Sequence, residues 1–456
     1  MGGPSRPDVP GVAVGAMRIG SGHASRAVAG LALLVAVATA CGGSSVTARV
    51  QRTAPGSSVA PTPLGGSAPV ISPPPSAAPA PAVAAIGVRP LRAPWTEAIH
   101  DAIGDADVSV AVGLGHRIVV LVDPRTPRVL ASTTKLLTSM AALDTWGPRH
   151  RFLTYARSRA EPVGGTLRGD LWLVGSGDPE LGDARLADLA RAIREAGVRR
   201  IEGSVRGDTA AFDRGWWAPG WLPGVSRRYV RRTTALAYEG NVAASPEAAA
   251  ATSLTGALEG LGISVAGAPG AAPAPPRLTE LAAVRSDPLA ELLARQNRDS
   301  LNFHAETLAK AVGATTGSPS TAGGAAVTRR WSSARGIDVS VRDGSGLSYQ
   351  DRATAPGLVG LLLLARDESW FAPFLASLAT AGAGTLEGRL SGVEVHAKTG
   401  TLIERPVSAL AGYVRTRDGQ LAAFAILSDG SGKDSAIRVE DAVVRALAGA
   451  VVGAAA

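Results

Sequence analysis

A serine and a lysine three residues apart, Ser132 and Lys135, stand at the start of an apolar segment that runs to Trp146. Positions i and i+3 share one face of a helix, so the hydroxyl and the amine are expected to be neighbours. Free backbone N–H groups at a helix N-terminus favour developing negative charge on the serine. A lysine removed from water and placed near other cations can become neutral and accept the serine proton. The pair predicts an activated serine, although a capping serine beside a solvated lysine has the same spacing.

A second pattern consists of Ser300 and Asn302, two residues apart. It lies in a segment that we predict to be helical from Asp287 to Val312. The pattern places a hydroxyl and a carboxamide together at the tip of a helix or loop. A solvent-facing serine beside a capping asparagine is the alternative, and this pattern alone does not distinguish the two.

The third pattern, Lys398-Thr399-Gly400-Thr401, lies on a predicted strand from Glu394 to Leu402. The glycine permits close approach of another backbone, and the lysine supplies a positive charge. An edge strand of this kind suits a peptide that binds as an added strand through its carboxylate. We expect the N–H groups of Thr401 and Ser132 to form an oxyanion hole. The alternative is an edge strand that uses lysine to prevent aggregation.

The scarcity of lysine adds weight to these patterns. The chain contains four lysines, at positions 135, 310, 398 and 433, and its other basic residues are arginines. Arginine keeps its proton in proteins, whereas a desolvated lysine can lose it. Two of the four lysines occupy the lysine positions of an ordered set, Ser-x-x-Lys, Ser-x-Asn and Lys-Thr-Gly. That set is found in penicillin-binding proteins and class A β-lactamases; codon bias with chance survivors is the alternative.

From about residue 88 to residue 456 the sequence resembles the class C low-molecular-mass penicillin-binding proteins, the D-alanyl-D-alanine carboxypeptidase/endopeptidase family. Further similar segments are Leu171–Pro179, Gly207-Asp208 with Phe212-Asp213, Pro219–Trp221, Asn297–Lys310, Asp343–Ser348 and Gly384–Leu386. The resemblance implies an α/β (α+β) fold of the penicillin-binding/serine β-lactamase-like transpeptidase type. It implies an antiparallel five-stranded sheet with helices, interrupted by a smaller inserted domain.

The resemblance also implies catalytic roles. Ser132 would attack the carbonyl between two D-alanines, and Lys135 would accept the serine proton. Ser300 would pass the proton to the leaving amine with the help of Lys398. Asn302 would hold the substrate amide, and water would hydrolyse the acyl-enzyme.

Substrate-binding roles are implied for the third pattern and for one residue of the inserted domain. Lys398 and Thr399 would bind the terminal carboxylate, next to Gly400 and Thr401. Asp208 matches the position that reads the free amino end of a diaminopimelate side chain; a simple Gly-Asp turn is its alternative. The expected partners are peptidoglycan peptides and β-lactam antibiotics, which would acylate the serine. Neither a metal nor another cofactor is implied.

Departures from the family pattern leave alternatives open. Leu301 stands where a polar residue is usual, the gap from Ser132 to Ser300 is short, and a further subdomain is missing or eroded after Asn241. We therefore expect substrate selection to differ. A β-lactamase is one rival, although we find no convincing deacylating glutamate. A non-catalytic wall-binding lipoprotein is another, against which the intact motifs argue.

The N-terminal region predicts export. Basic residues precede an apolar run from Ala27 to Thr39, and small residues then lead to Cys41, the single cysteine. This order is typical of a signal peptide, and the cysteine resembles that of a bacterial lipobox; a buried N-terminal helix is the alternative. Residues 42–87, dominated by Ser, Pro, Ala and Gly, predict a disordered linker. We expect an extracytoplasmic enzyme of the cell envelope, lipid-anchored at Cys41 or freely secreted.

Length and composition are consistent with this organisation. The 456 residues are enough for two domains of ordinary size, and 46% of them are hydrophobic. The net charge of +8 is spread without a block of consecutive basic residues, so no nucleic-acid-binding arm is expected. Besides Glu394–Leu402, strands are predicted at Val108–Val112, Arg117–Val122, Ser408–Arg415 and Gln420–Ser428, with an Asp-Gly hairpin turn at 417–419 between the last two. Strands near both ends of the folded part, with helices between, predict an α/β domain. We assign 1–41 to the signal peptide, 88–149 and 285–456 to the catalytic domain, and 150–284 to the inserted domain.

Overall fold

A computed structural model describes residues 86–224, 226–430 and 432–453. The predicted signal peptide, Cys41 and all but the last two residues of the predicted linker lie outside these ranges. None of the helices within them is long and apolar enough to cross a membrane.

The secondary structure of the described ranges alternates between short and long elements. The strands are β1 (Gly87–Val88), β2 (Ser109–Leu114), β3 (Arg117–Val122), β4 (Arg128–Val129), β5 (Leu153–Ser158), β6 (Thr166–Leu167), β7 (Leu171–Gly175), β8 (Arg200–Ile201), β9 (Val205–Asp208), β10 (Ser264–Val265), β11 (Gly270–Ala272), β12 (Thr279–Arg285), β13 (Arg352–Ala353), β14 (Ala379–Thr380), β15 (Val395–Leu402), β16 (Val407–Arg415) and β17 (Leu421–Asp429). The α-helices are α1 (Pro94–Ile103), α2 (Thr134–Trp146), α3 (Asp183–Glu195), α4 (Ser226–Tyr229), α5 (Pro246–Gly260), α6 (Leu289–Arg298), α7 (Asn302–Ala314), α8 (Thr321–Ser333), α9 (Ala355–Ala365), α10 (Phe371–Ser377) and α11 (Lys433–Ala448). Short 3₁₀ helices span Ala131–Thr133, Glu239–Asn241 and Gly384–Leu386.

The main sheet of the described part has the strand order β1-β3-β2-β17-β16-β15-β14. Its five long strands, β2, β3 and β15 to β17, pair antiparallel, as predicted. The two-residue strands β1 and β14 extend the sheet at its edges, β1 in parallel orientation. The predicted hairpin turn between β16 and β17 is present: Gly419 has a φ of +83°, and its N–H donates to the Thr416 carbonyl.

The main sheet separates two hydrophobic cores because successive side chains of a strand point to opposite faces. Val110 and Val112 pack with helices α1 and α11 on one face, and Ala111 packs with α2 and α9 on the other. Alanines cover much of this second face, and a Cβ at Gly113 would lie 2.7 Å from the Leu363 side chain on α9. The small residues let the helices approach closely. Helix α2, which begins at Thr134, two residues after Ser132, belongs to the same core.

The chain between α2 and α6 forms separate sheets. One has the strand order β11-β9-β7-β5-β12 and another the order β10-β8-β6. Helices α3 and α5 pack on them through a core of their own, to which Leu189, Ile193, Leu254 and Leu258 contribute. The first and last strands of this segment, β5 and β12, pair antiparallel, so the chain enters and leaves at one place. We propose that these sheets are the inserted domain of residues 150–284.

One prediction about helices was wrong. The segment from Asp287 to Val312 is two helices, because α6 ends at Arg298 and α7 begins at Asn302. Ser300 in the break has a φ of +57°, which no α-helix accommodates. The break brings the Ser-x-Asn pattern to the N-terminus of α7, where its side chains are free to face a neighbouring element.

Candidate active site

Ser132 lies in the 3₁₀ helix Ala131–Thr133, which leads directly into α2. Ala131 has a φ of +46°, a conformation that costs about 1–3 kcal/mol in a residue with a Cβ and that concentrates at functional sites. The amine of Lys135 lies 3.0 Å from the Ser132 hydroxyl oxygen. Ser132 is half-buried and Lys135 is completely buried. The two side chains expected to share one helix face are therefore in hydrogen-bond contact.

Lys135 donates two further hydrogen bonds, to Oδ1 of Asn302 and to the carbonyl of Ser345, both at 2.7 Å. Burial is the main influence on its charge, because a low-dielectric environment disfavours the ammonium form. Burial lowers the pKa of Lys135 to about 7, against the opposing effect of nearby carboxylates. A substantial fraction of Lys135 is therefore neutral at neutral pH.

The second pattern is divided by the break before α7. Asn302 lies at the centre of the site, with its Oδ1 on Lys135 and its Nδ2 donating to the Tyr229 carbonyl at 3.1 Å. Ser300 is half-buried in the break. Among the described residues no hydrogen bond joins Ser300 to Lys135 or Lys398, so its role in proton transfer stays a prediction.

The third pattern lies on β15, at one side of the main sheet. β14 covers this strand only at His396 and Ala397. From Lys398 to Leu402, none of the described strands pairs with the outer edge of β15. That edge carries free backbone groups next to the serine, as binding of a peptide as an added strand requires.

Gly400 explains how β15 can lie so close to the serine. A Cβ at this position would be 2.8 Å from the Leu130 carbonyl and 3.1 Å from the Ala131 side chain. The residue is buried, and Thr401 beyond it is exposed. Only glycine permits this approach without displacing the turn that carries Ser132.

Lys398 is the second completely buried amine of the site. It donates a hydrogen bond of 2.9 Å to the carbonyl of Thr399. Burial, together with repulsion from Lys135, holds the pKa of Lys398 well below its ordinary value. An arriving anion would restore the charged form, because an opposite charge favours the ammonium.

Beneath the serine lies the turn Asp343–Ser348, whose Ser345 carbonyl accepts from Lys135. Gly346 in this turn has a φ of +81°, and a Cβ there would lie 1.8 Å from the Ala131 carbonyl. The sequence identified this turn only through a resemblance and did not predict a contact with Lys135. A backbone carbonyl leaves no trace in a pattern of side chains, and the same holds for the Tyr229 carbonyl on Asn302.

Asp208 ends β9 in the segment between α2 and α6 and is buried. Its Oδ1 accepts from the backbone N–H groups of Ala210 and Ala274, both at 2.9 Å. Its Oδ2 is buried and has no hydrogen-bond partner among the described residues. No hydrogen bond of the described part connects Asp208 with the three motifs. Nor does that part contain a group of three or more His, Cys, Asp or Glu side chains arranged for a metal ion.

The family to which these motifs belong is decided by comparison with known sequences. The D-Ala-D-Ala carboxypeptidase 3 (S13) family matches residues 118–241 and 234–450, which include all three motifs. The chain belongs to this family. The family membership confirms the enzyme class that the resemblance implied, a serine-type D-Ala-D-Ala carboxypeptidase.

Individual relatives are of the same kind. The chain is 32% identical to carboxypeptidase DacB of Mycolicibacterium smegmatis, over 68% of this chain and 73% of that protein. It is 30% identical to a carboxypeptidase of Mycobacterium tuberculosis, over 67% and 72%. It is 28% identical to a D-alanyl-D-alanine carboxypeptidase of an Actinomadura species, over 70% and 76%.

Solved structures confirm the predicted fold. Penicillin-binding protein 4 (dacB) of Haemophilus influenzae superimposes with a TM-score of 0.66 at 20% identity, over 77% of this chain and 99% of that one. The same protein in complex with a β-lactam gives a TM-score of 0.59 at 21% identity, over 76% and 97%. The fold of the S13 peptidase described here is thus that of the penicillin-binding proteins.

Proposed function

We propose that this S13 peptidase cleaves the terminal D-alanyl-D-alanine of peptidoglycan stem peptides through an acyl-enzyme on Ser132. The observation that carries the proposal is the completely buried amine of Lys135, 3.0 Å from the Ser132 hydroxyl oxygen. Because its pKa is about 7, the amine can be neutral at neutral pH and accept the hydroxyl proton. Both groups are held on rigid elements, which lowers the entropic cost of reaching the reactive geometry.

The substrate is proposed to bind along the open edge of β15. Its terminal carboxylate would lie at Lys398 and Thr399 and restore the charge on the buried amine. Its amide carbonyl would replace the Tyr229 carbonyl as the acceptor of the Asn302 Nδ2 hydrogen bond. The N–H groups of Ser132 and Thr401 would bind the developing oxyanion, brought together by Gly400.

The chemical steps follow from these positions. The O–H bond of Ser132 breaks, its proton moves to Lys135, and the oxygen bonds to the carbonyl carbon between the two D-alanines. The C–N bond then breaks, and a proton passes to the leaving amine by way of Ser300 and Lys398. Water hydrolyses the ester and regenerates Ser132. A cross-linked peptide can follow the same steps with a larger leaving amine, so rates on a pentapeptide and on a cross-linked dimer would measure the balance between carboxypeptidase and endopeptidase activity.

Asp208 is proposed to contact an amino group of the substrate's diamino acid. Its buried Oδ2 has no partner among the described residues, while Oδ1 is used by the turn. Asp208→Asn keeps an acceptor for the turn and removes the charge. We expect it to raise KM for a peptide with a free side-chain amine, and to leave KM for the N-acetylated peptide unchanged.

The enzyme is proposed to reach the cell envelope through the predicted signal peptide and to be anchored by lipid on Cys41. The sequence around Cys41 supports this proposal. Metabolic labelling with a radioactive fatty acid is expected to label the full chain but not Cys41→Ala. Labelling of both proteins, or of neither, would contradict lipidation at this residue.

The acyl-enzyme is tested by intact-protein mass spectrometry of the full chain after incubation with benzylpenicillin. We expect one penicilloyl adduct on the wild type and none on Ser132→Ala. A wild-type protein that forms no adduct but consumes the drug rapidly would be a β-lactamase. A folded protein that neither forms an adduct nor consumes the drug would be a non-catalytic binding protein.

A further inference from the structure

Three buried acidic side chains lie beneath Lys135, and the reaction steps above leave them without a role. Glu306 is on α7, four residues after Asn302, and Asp343 and Asp351 lie in and after the turn that contacts Lys135. All three are at most 1% exposed. Buried carboxylates are expensive unless they are compensated, so a cluster of three next to a reactive amine requires an explanation.

Glu306 is linked to Lys135 through the backbone of Ser345. Its Oε1 accepts from the backbone N–H groups of Gly344 and Ser345, at 2.9 and 2.8 Å. The carbonyl of Ser345 in turn accepts from Lys135. Glu306 therefore fixes the backbone on which the amine rests, and its carboxyl group is one of the acidic groups that act on the amine. Burial, and then repulsion from Asp343, raise the pKa of Glu306 to about 7, so this group holds its negative charge mainly above that pH.

The three acids differ in how well their charge is compensated. Asp343 accepts from the N–H groups of Gly346 and Ser348 and from the indole of Trp221, at 2.6 to 2.9 Å. Asp351 accepts only from the N–H of Arg342, and its Oδ2 has no partner among the described residues. Burial, and then repulsion from Asp343, hold the pKa of Asp351 well above its ordinary value. Asp351 is thus the acid least able to hold a charge, Glu306 holds its charge above about pH 7, and Asp343 has the most hydrogen-bond donors of the three.

We propose that Glu306 and Asp343 provide the negative charge that balances Lys135 when it takes the proton of Ser132. That transfer creates an ammonium inside a site from which water is excluded. The charged groups that act on Lys135 in the described part are these acids from one side and Lys398 from the other. Without the acids, repulsion from Lys398 would oppose the new ammonium on Lys135 without compensation. Glu306 and Asp343 act through Lys135 and are positioning residues.

This inference rests on the proposed function, and Glu306→Gln tests it. The amide oxygen can keep both backbone N–H bonds, and its nitrogen can donate to Thr321 Oγ1, which lies 3.4 Å from Oε2. We would measure the second-order rate constant of benzylpenicillin acylation between pH 5 and 9, for the wild type and the variant. Because Glu306 holds its charge above about pH 7, its removal should lower the pKa of Lys135, and the fall in rate at low pH (the acid limb) should move to lower pH. The rate constant on the plateau at high pH should fall about tenfold, since the ammonium loses its counter-charge.

Three further variants separate electrostatics from structure. Glu306→Asp keeps the charge, so its acylation rate should fall at the same pH as that of the wild type, even if its maximal rate is lower. Asp351→Asn replaces an acid that is already neutral and should leave the limb in place. Glu440→Gln changes a buried glutamate on α11 that contacts Arg389 and Ser408 and is not among the charges that act on Lys135, so it should leave the limb in place.

Each outcome bears on one proposal. The inference would be overturned if the acid limb of the pH profile stayed in place in Glu306→Gln, or if it moved equally in Glu440→Gln. Neither result would affect the role of Ser132 as the nucleophile. A wild type that forms no adduct would instead overturn the proposed function. Circular dichroism and thermal unfolding of every variant identify any that fail to fold. If Glu306→Gln is among them, the pH profiles of acylation by Glu306→Asp and Asp343→Asn decide between the outcomes. Asp343→Asn should then lower the limb, and an unmoved limb would overturn the inference.

Discussion

Lys135 and Lys398 are the same kind of residue, equally buried, on facing elements of one site, yet their surroundings differ. Lys135 has three acceptors around its amine, the oxygens of Ser132, Asn302 and Ser345, and carboxylates beneath it. Within the described residues, Lys398 donates only to the carbonyl of Thr399, and the nearest charge acting on it is Lys135.

The difference indicates how one residue type serves two purposes. An amine with buried counter-charges can gain and lose a proton within the protein, as a base must. An amine without counter-charges stays poorly compensated until an anion arrives, as a carboxylate-binding group should. Burial lowers both pKa values, and the neighbouring charges decide what each amine can do.

Removal of Lys135 should have the largest effect. Lys135→Ala deletes the base, and Lys135→Arg replaces it with a group that keeps its proton. General base catalysis contributes about 10²–10⁴-fold, so we expect both variants to lose acylation by about 10³-fold or more. The measurement is the rate of benzylpenicillin adduct formation. An arginine variant that keeps more than a tenth of the wild-type rate would show that proton transfer does not depend on this amine.

Removal of Lys398 should have the next largest effect, and it should depend on the substrate. We expect Lys398→Ala to lower kcat/KM for a D-Ala-D-Ala peptide by about 10²-fold, since a buried charge pair is lost. The same variant should lower kcat/KM less for the C-terminal amide of that peptide, which carries no carboxylate and loses only the part of Lys398 in proton transfer. Equal losses on both substrates would mean that Lys398 acts in proton transfer and does not bind the carboxylate.

The pH dependence should report Lys135. The amine must be neutral to accept a proton, and its pKa is about 7, so acylation should rise with pH and level off above that value. Below the limb the rate should fall about tenfold per pH unit. Stopped-flow acylation from pH 5 to 9 measures this profile. A limb near pH 5, where carboxylates ordinarily titrate, would assign the base to an acidic residue.

The smallest effect concerns stability. Lys398→Met replaces a poorly compensated amine with an apolar side chain of similar volume and should stabilise the fold by about 1–2 kcal/mol at pH 7. Lys135→Met should stabilise the fold less, because it also removes three hydrogen bonds and leaves carboxylates without a counter-charge. Urea unfolding of the two variants and the wild type measures the difference. The order would be reversed if the acids did not compensate Lys135.

The stability difference should itself depend on pH. The folded-state pKa of Lys398 lies well below its ordinary value of 10.5, so the unfolded state binds more protons between the two. Stability of the wild type therefore rises with pH over that interval. The gain from Lys398→Met should accordingly be smaller at pH 10 than at pH 7. A constant gain would indicate that the variant acts through packing alone.

The sequence was sufficient to predict most of the main sheet. Apolar segments and an Asp-Gly turn predicted β15, β16 and β17 within one or two residues of their ends. The helix after Ser132 was predicted for the same reason, because its apolar run continues to Trp146. Local patterns of this kind depend on neighbours in the chain, so they can be read without knowing the fold. The break at Ser300 could not be read in this way, because its left-handed backbone is imposed by contacts around the site.

By itself, the sequence determined the class of chemistry, through the order of three motifs that include two of its four lysines. It determined the family through those motifs together with the further segments that resemble it. It did so because catalysis requires particular side chains at fixed local spacings. Only the tertiary structure decided that Ser345 and Tyr229 contribute carbonyls to the site, and that Glu306 lies beneath Lys135. These contacts join residues far apart in the chain, and the free energy of a buried charge depends on what the fold places around it.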